Sequence, residues 1–120
     1  MTRTIMTVDD STSMRQMVKA TLQAAGYGVV EASDGQEALD YARENSVDLV
    51  ISDVNMPRMD GITLVHELRS LSTYRLTPLL LLTTESSQEK KMEGKKAGAT
   101  GWIVKPFNPA QLLATLQKLL

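Results

Sequence analysis

Short apolar runs alternate with amphipathic stretches along the whole chain, and this alternation restricts the possible folds more than any other feature. The apolar runs predict strands at residues 5–8, 28–32, 49–51, 79–82 and 102–104. Helical periodicity predicts helices at about 13–25, 34–44, 60–71, 86–98 and 108–119. Because the strands are nearly continuous apolar runs, they should be buried on both faces. Strands that alternate with helices in this way predict a doubly wound α/β fold with a parallel sheet.

Capping patterns and apolar spacing give finer expectations for three of the helices. Asp34, followed three residues later by Glu37, has the pattern of a capping box and predicts the start of the second helix. Ser86, followed three residues later by Glu89, has the pattern of a capping box and predicts the start of the fourth helix. Met14 and Met17 lie at helical spacing in the first helix, and we expect both to fill the core.

Composition and charge exclude several classes of protein. A chain of 120 residues is expected to form one domain, 1–120, and its net charge of −1 argues against nucleic-acid or membrane-surface binding. The chain has no cysteine, which excludes disulfides and thiolate metal sites. Its longest strongly apolar run, 79–82, is too short to span a bilayer, and no signal peptide is evident, so a cytoplasmic location is expected.

Polar side chains follow the predicted strands at the edge where ligands bind. In open parallel sheets, this is the carboxyl edge, at the point where the strand order reverses. Asp9 and Asp10 follow the first strand, Asp53 the third, Thr83 ends the fourth and Lys105 follows the fifth. These carboxylates, the hydroxyl and the ammonium group should therefore meet at one edge of the sheet.

The acidic residues favour a metal site when they are considered together. Taken alone, one residue of the Asp9–Asp10 pair could simply cap the following helix, with about even odds, and Asp53 would be unremarkable. Together, like charges about 4 Å apart repel by roughly 4 kcal/mol at an effective dielectric near 20, and Lys105 is the predicted counter-charge. Oxygen ligands without histidine or cysteine favour Mg²⁺. We therefore expect a magnesium site open to phosphate.

The motifs at these positions resemble those of response-regulator receiver domains. The resemblance is carried by Asp9-Asp10-Ser11, by residues 53–61 (DVNMPRMDG), by Thr83 and by Lys105-Pro106. Residues 7–11 and 98–107 further resemble stand-alone chemotaxis regulators of the CheY type. The resemblance implies a flavodoxin-like (βα)5 fold with strand order 2-1-3-4-5. It also implies a receiver domain over residues 1–120 without an effector domain, and a cis Lys105-Pro106 peptide bond.

The resemblance also implies roles for the acidic residues. Asp53 would accept a phosphoryl group from the phosphohistidine of a sensor histidine kinase. Asp10, Asp53 and the backbone carbonyl of Asn55 would bind Mg²⁺, and Asp9 would act mainly through a bound water. The chain would be a phosphoacceptor with intrinsic autophosphorylation and autodephosphorylation activity rather than an enzyme.

Three further residues would transmit or respond to phosphorylation. Lys105 would contact a phosphoryl oxygen, and the Thr83 hydroxyl would follow once the phosphate is in place. Trp102 would then move into the space that Thr83 leaves. A tryptophan simply packed at the sheet edge is the alternative, and it is the favoured one when the sequence is taken alone.

By the same resemblance, residues around the nucleophile would set the lifetime of the phosphorylated state. The side chains of Asn55 and Glu85 would modulate hydrolysis. Thr84 stands where smaller residues are common in the family, and its bulk could narrow access to the phosphate.

The expected output is a protein contact through the fourth helix, fifth strand and fifth helix. The resemblance implies the flagellar motor switch in chemotaxis, or another protein target, with a phosphatase as a further partner and a monomeric chain. The fourth helix carries a lysine cluster, which is usually only a solvated face but could belong to this surface: Lys90, Lys91, Lys95 and Lys96.

Three alternatives remain open. A single-domain phosphorelay shuttle would use the same acceptor chemistry. A small Mg²⁺-dependent phosphohydrolase would need a carboxylate two residues after the nucleophile, where this chain has Asn55. A flavodoxin would need a phosphate-binding turn after the first strand, where this chain has Asp9 and Asp10.

Overall fold

The computed structural model describes residues 2–84 and 87–120 and confirms the doubly wound fold. Within these residues the parallel strands are β1 (Thr4–Val8), β2 (Gly28–Ala32), β3 (Leu49–Ser52), β4 (Leu79–Thr83) and β5 (Gly101–Val104). The helices are α1 (Thr12–Ala24), α2 (Gly35–Glu44), α3 (Gly61–Arg69), α4 (Gln88–Ala97) and α5 (Pro109–Leu119), with a 3₁₀ turn at Ser72–Tyr74. The strand order is β2-β1-β3-β4-β5, as the resemblance implied. None of the helices formed by these residues is both long and apolar enough to cross a membrane.

The sheet separates two apolar cores, because successive side chains of a strand point to opposite faces. Leu81 belongs to the core beneath α2 and α3, whereas its neighbour Leu80 belongs to the core beneath α1 and α5. Leu112 and Leu116 of α5 are buried in this second core. Full burial of such a side chain contributes about 1.5–3 kcal/mol, so these leucines hold α5 against the sheet.

Helix α3 ends at Arg69, two residues earlier than its apolar spacing predicted. Leu71 still packs against the core, but from extended backbone with φ −88° and ψ 126°. The Arg69 guanidinium holds the segments beyond the helix, since it donates hydrogen bonds to the carbonyl oxygens of Tyr74 and Thr77, both at 2.7 Å, and of Gly98 at 3.0 Å. The apolar spacing therefore predicted correctly that Leu71 packs against the core, but it did not predict where the helix ends.

The start of α4 also differs from the prediction. Ser87 is the N-cap, and its hydroxyl accepts a hydrogen bond from the Lys90 amide at 3.2 Å. The residue expected to fill this role, Ser86, lies outside the described residues. A serine does cap this helix, as predicted, but the N-cap is one position later than expected.

Met17 is not part of the core, contrary to expectation. Its exposed fraction is 56%, whereas Val18 and Leu22 of the same helix are buried. Met14 is partly buried and packs against the second core, as predicted. Successive helical side chains are about 100° apart, so a narrow buried stripe through Val18 turns Met17 towards solvent.

Candidate functional site

The structure brings the predicted carboxylates together at the carboxyl ends of β1 and β3. Oxygen atoms of Asp9, Asp10 and Asp53 lie within 4.8 Å of one another. The cause is the strand register, since Val8 is paired with Ser52 and the residues that follow them emerge side by side. The Asp53 amide donates to the Val8 carbonyl at 2.9 Å, which continues the pairing into the site.

Both carboxylate oxygens of Asp9 have partners within the protein. Its Oδ2 lies 2.7 Å from Lys105 Nζ, and its Oδ1 accepts a hydrogen bond from the Ser11 amide at 2.9 Å. The Lys105 and Asp9 side chains are only 10% and 6% exposed, so this ion pair is well shielded from solvent. Asp10, by contrast, is exposed. Both carboxylate oxygens of Asp9 are thus engaged within the protein, whereas Asp10 is accessible to solvent.

The Asp53 side chain is held in place by its own backbone surroundings. Its Oδ1 accepts a hydrogen bond from the Val54 amide at 2.8 Å, and its Oδ2 lies 3.5 Å from Lys105 Nζ. The Ser52 hydroxyl donates to the Asp53 carbonyl at 2.8 Å. A Cβ at Gly61 would lie 2.0 Å from that carbonyl oxygen, so only glycine lets α3 begin so close to the acceptor.

Thr83 and Lys105 are joined through the backbone. The Lys105 amide donates to the Thr83 carbonyl at 2.8 Å, so the end of β4 and the residue after β5 form one unit. The Thr83 residue is fully buried, and its neighbour Thr84 is exposed. Glu85, expected to tune hydrolysis, lies outside the described residues. The Lys105-Pro106 peptide bond is cis, as the resemblance implied.

Trp102 lies on the same face of the sheet as Thr83. The register pairs Leu81 with Trp102 and Thr83 with Val104, and these residues all point to one side. Trp102 is partly buried and packs against the first core. A Cβ at Gly94 would lie 3.2 Å from Cζ3 of the indole ring, so the absence of a side chain in α4 leaves room for the ring.

A second cation near the acidic cluster was missed from the sequence. Arg15 Nη1 donates to the Asp9 carbonyl at 2.5 Å, and its Nε lies 3.5 Å from Glu31. The Arg15 side chain is only 16% exposed. The sequence places Arg15 near the start of the helix that follows Asp9, which could have suggested that it lies close to the site. Its hydrogen bond to the Asp9 carbonyl, however, depends on how α1 packs against β2.

A link between α2 and the loop after Asp53 was also missed. Arg58 Nε and Nη2 donate to the Asp34 carboxylate at 2.9 and 3.2 Å. These hydrogen bonds lower the pKa of Asp34 and raise that of Arg58. Asp34 also caps α2 as predicted, since it accepts a hydrogen bond from the Glu37 amide at 2.8 Å.

The residues at this edge fit a divalent cation. Carboxylates about 4 Å apart repel by roughly 4 kcal/mol per pair at an effective dielectric near 20, so a bound cation would relieve the crowding of Asp10 and Asp53. Donors that are all oxygen suit a hard ion such as Mg²⁺, which commonly binds few protein ligands and keeps several waters. Asn55, whose backbone carbonyl the resemblance adds to this set, is exposed in the loop after Asp53.

The fold and the site together define a class of protein: flavodoxin-like α/β domains with carboxylates, rather than a phosphate-binding loop, at the carboxyl edge of the sheet. The sequence model of the response regulator receiver domain matches residues 5–117. The chain therefore belongs to the family of response regulator receiver domains.

Several known proteins are similar to this chain. The structure of the Vibrio cholerae chemotaxis protein CheY4 is 57% identical, with a TM-score of 0.95 over the full length of both chains. The receiver domain of a sensor histidine kinase from Pseudomonas aeruginosa is 28% identical, with a TM-score of 0.92 over 99% of this chain and 98% of that one. That structure has a magnesium ion coordinated in the active site cleft.

Among curated proteins, the transcriptional regulatory protein SrrA of Staphylococcus aureus is 35% identical over 120 residues. The match covers all of this chain and 48% of SrrA. The chain thus spans about half the length of the curated relatives it matches.

Proposed function

We propose that the chain is a phosphorylation switch in which Asp53 accepts a phosphoryl group from the phosphohistidine of a sensor histidine kinase. The observation that carries this proposal is the meeting of Asp9, Asp10, Asp53 and Lys105 at the carboxyl edge of the sheet. Membership of the receiver-domain family supports it. The chain would be a reactant in the transfer, with intrinsic autophosphorylation and autodephosphorylation activity.

The transfer requires few groups of the protein. A carboxylate oxygen of Asp53 forms a bond to phosphorus while the bond from phosphorus to the donor nitrogen breaks. The electron pair leaves with the imidazole ring of the donor, which takes up a proton. Phosphoryl transfer depends mainly on positioning and on neutralising the charge of the equatorial oxygens. Lys105, whose Nζ is 3.5 Å from Asp53 Oδ2, is close enough to donate to one of these oxygens.

The proposed magnesium ligands are Asp10, Asp53 and the Asn55 backbone carbonyl, with Asp9 contributing through a bound water. When bound, Mg²⁺ would neutralise charge on the phosphoryl oxygens and help to hold the phosphoryl group for attack by the carboxylate. The Asp10 residue is exposed, which leaves the cluster accessible to an ion from solvent. The all-oxygen donor set and the magnesium ion in the Pseudomonas relative support this assignment.

The proposed switch runs from the phosphorylated Asp53 through Thr83 to Trp102. The Thr83 hydroxyl would donate to the phosphoryl group and move towards it. The shared sheet face of Thr83 and Trp102 supports the coupling, because a shift of one side chain changes the packing available to the other. Moving such an equilibrium from 1:99 to 99:1 needs about 5.5 kcal/mol of differential binding, to which several charge-assisted hydrogen bonds would contribute.

We propose that the output surface is formed by α4, β5 and α5. A cavity of about 270 Å³ on this surface is lined in part by Lys91, Lys95 and Trp102. The cationic face of α4 favours an acidic partner. The likeness to the chemotaxis protein CheY4 supports a role in chemotaxis, and the partner we propose is the flagellar motor switch. Binding to the purified motor switch protein should occur mainly after phosphorylation. Equal affinity before and after phosphorylation would contradict this target.

The lifetime of the phosphorylated state would depend on residues at the mouth of the site. Asn55 and Thr84 are both exposed there, which supports a role for each in admitting the water that attacks the phosphate. Replacing Thr84 with alanine should speed dephosphorylation if its bulk narrows the entrance. An unchanged rate would remove Thr84 from this role.

The test of the proposed function uses Trp102, the single tryptophan of the chain. Mg²⁺ and then acetyl phosphate should each change its emission, and mass spectrometry should locate one added phosphoryl group on Asp53. Asp53→Asn should abolish both the added mass and the response to acetyl phosphate. Asp40→Asn, which removes an exposed carboxylate of α2, is the matched control and should behave as wild type. Phosphorylation that persists in Asp53→Asn would reject the assignment.

A further inference from the structure

The loop between β3 and α3 contains a strained turn centred on Arg58. The Met59 amide donates to the Pro57 carbonyl at 2.7 Å, which closes a γ-turn around Arg58. Arg58 has a φ of 65°, in a region that residues other than glycine rarely adopt. A γ-turn with positive φ at its centre is rare and strained, so its neighbours must hold it in place.

The Arg58 side chain provides one of these restraints. Its guanidinium forms a two-pronged ion pair with Asp34, with nitrogen–oxygen distances of 2.9 and 3.2 Å. The Asp34 side chain is only 9% exposed, and it is fixed by its bond to the Glu37 amide at the start of α2. A bidentate, charge-assisted pair of this kind fixes direction as well as distance.

The backbone next to Arg58 provides a second restraint. The Gly35 amide donates to the Met59 carbonyl at 3.2 Å. A Cβ at Gly35 would lie 2.5 Å from the same carbonyl oxygen, so the loop packs directly on the first turn of α2. Arg58 and Met59 thus attach the loop to a helix that is itself built on the sheet.

Asn55 lies between this attachment and the anchored end of the loop. Upstream, the Asp53 amide is bonded to the Val8 carbonyl at 2.9 Å. Downstream, the Gly61 amide is bonded to the Val54 carbonyl at 2.8 Å. With both ends fixed, the path of the backbone at Asn55 depends on how the intervening turn is held.

We propose that Arg58 and Asp34 are positioning residues for the divalent cation. Their ion pair holds the γ-turn in the form in which the Asn55 carbonyl can join Asp10 and Asp53 as a ligand. This inference rests on the proposed function, because it takes the Asn55 carbonyl to be one of the magnesium ligands. Neither Arg58 nor Asp34 contacts the cation in this proposal.

Removal of the Arg58 charge distinguishes positioning from a simple electrostatic effect. Arg58→Gln takes a cation away from an acidic site, so an effect of charge alone would tighten Mg²⁺ binding. Loss of the loop restraint has the opposite effect, because the Asn55 carbonyl would no longer be pre-organised. The sign of the change in Kd therefore separates the two explanations.

The experiment measures Mg²⁺ binding by calorimetry for the full chain and its variants. Arg58→Gln and Asp34→Asn should each raise Kd about 3- to 10-fold, somewhat less than the 10–100-fold typical of outer-shell partners of metal ligands. Asn is as good an N-cap as Asp, so Asp34→Asn should leave α2 intact. Because this variant removes a negative charge, charge alone would also raise its Kd, so if Arg58→Gln folds poorly the deciding measurement on Asp34→Asn is hydrogen exchange at Met59 and Gly35. Arg43→Gln removes the same charge from an exposed pair with Asp40 and should leave Kd unchanged.

Hydrogen exchange of the metal-free protein gives a second readout. The Met59 and Gly35 amides are both hydrogen-bonded when the loop between β3 and α3 is held against α2. They should exchange faster in Arg58→Gln than in wild type or Arg43→Gln. An equal or lower Kd in Arg58→Gln, or unchanged exchange, would overturn the positioning role while the proposed function stands. Wild-type protein that takes up no Mg²⁺ would overturn the proposed function and this inference with it.

Discussion

Lys105 Nζ lies 2.7 Å from the Asp9 carboxylate, although the two residues are 96 positions apart in the sequence. The same nitrogen is 3.5 Å from Asp53, the proposed acceptor. In the unphosphorylated protein Lys105 is therefore paired more closely with Asp9 than with Asp53. A phosphoryl group on Asp53 would have to compete with Asp9 for this ammonium group.

Replacing Lys105 with alanine should separate phosphorylation from its transmission. Asp53 should still accept a phosphoryl group, but affinity for the partner should gain little from phosphorylation. Mg²⁺ should bind more tightly, by roughly threefold to tenfold, because Asp9 loses a competing cation worth on the order of 1 kcal/mol. Calorimetry measures Mg²⁺ binding and a titration measures partner affinity, with Arg43→Ala, which removes an exposed cation of α2, as the control. If phosphorylated Lys105→Ala binds the partner as tightly as phosphorylated wild type does, the role assigned to Lys105 is wrong.

Removing the Thr83 hydroxyl should block the switch without blocking phosphorylation. Thr83→Ala should still take up the phosphoryl group from acetyl phosphate. The accompanying change in Trp102 emission should fall by at least about half, because the variant lacks a hydrogen bond to a charged group, which contributes about 1.5–3 kcal/mol. Thr83→Ser keeps the hydroxyl and should restore the response. Thr73→Ala, which removes an exposed hydroxyl from the 3₁₀ turn before β4, should leave the amplitude unchanged. A full emission change in Thr83→Ala would exclude Thr83 from the coupling.

Adding one methyl group at Gly61 should disturb both stability and the acceptor. The new Cβ would lie 2.0 Å from the Asp53 carbonyl oxygen, so backbone has to move. Gly61→Ala should lower the free energy of unfolding by about 1–3 kcal/mol, or more, and slow phosphorylation of Asp53. Gly28→Ala is the control, because its nearest neighbour would be 3.5 Å away. Urea unfolding of both variants should show the difference, and equal stabilities would contradict it.

The ion pair of Asp34 and Arg58 should make stability depend on pH in acid. Hydrogen bonds from the Arg58 guanidinium hold the pKa of Asp34 below its ordinary value of 3.8. A carboxyl group with a lowered pKa in the folded state stabilises the protein above 3.8, and this contribution is lost as the pH falls through the folded value.

The cost of Asp34→Asn in unfolding free energy should therefore be constant above about pH 5 and shrink as the pH falls below 3.8 and through the lowered pKa of Asp34. Urea titrations in the absence of Mg²⁺ measure this cost. Asp40→Asn, in an exposed pair, should show a small and nearly constant cost. A cost for Asp34→Asn that does not change with pH would refute the linkage.

The strands and most helix boundaries could be predicted because their signals are local. Residues 28–32 form β2 as expected, and Asp34 and Asn108 cap α2 and α5. The errors arose where tertiary contacts outweighed local patterns. Leu71 packs against the core from extended backbone beyond the end of α3, and Met17 turns outward because only a narrow stripe of α1 is buried.

The sequence by itself determined which side chains stand at the carboxyl edge, because each strand ends at a definite residue and parallel strands present those ends together. It was enough to bring Asp9, Asp10, Asp53 and Lys105 into one candidate site. Only the tertiary structure decided how the charges pair: Lys105 with Asp9, and Arg58 with Asp34, 24 positions away. Such pairings depend on loop paths and helix docking to within an ångström, and no residue pattern in the chain specifies these.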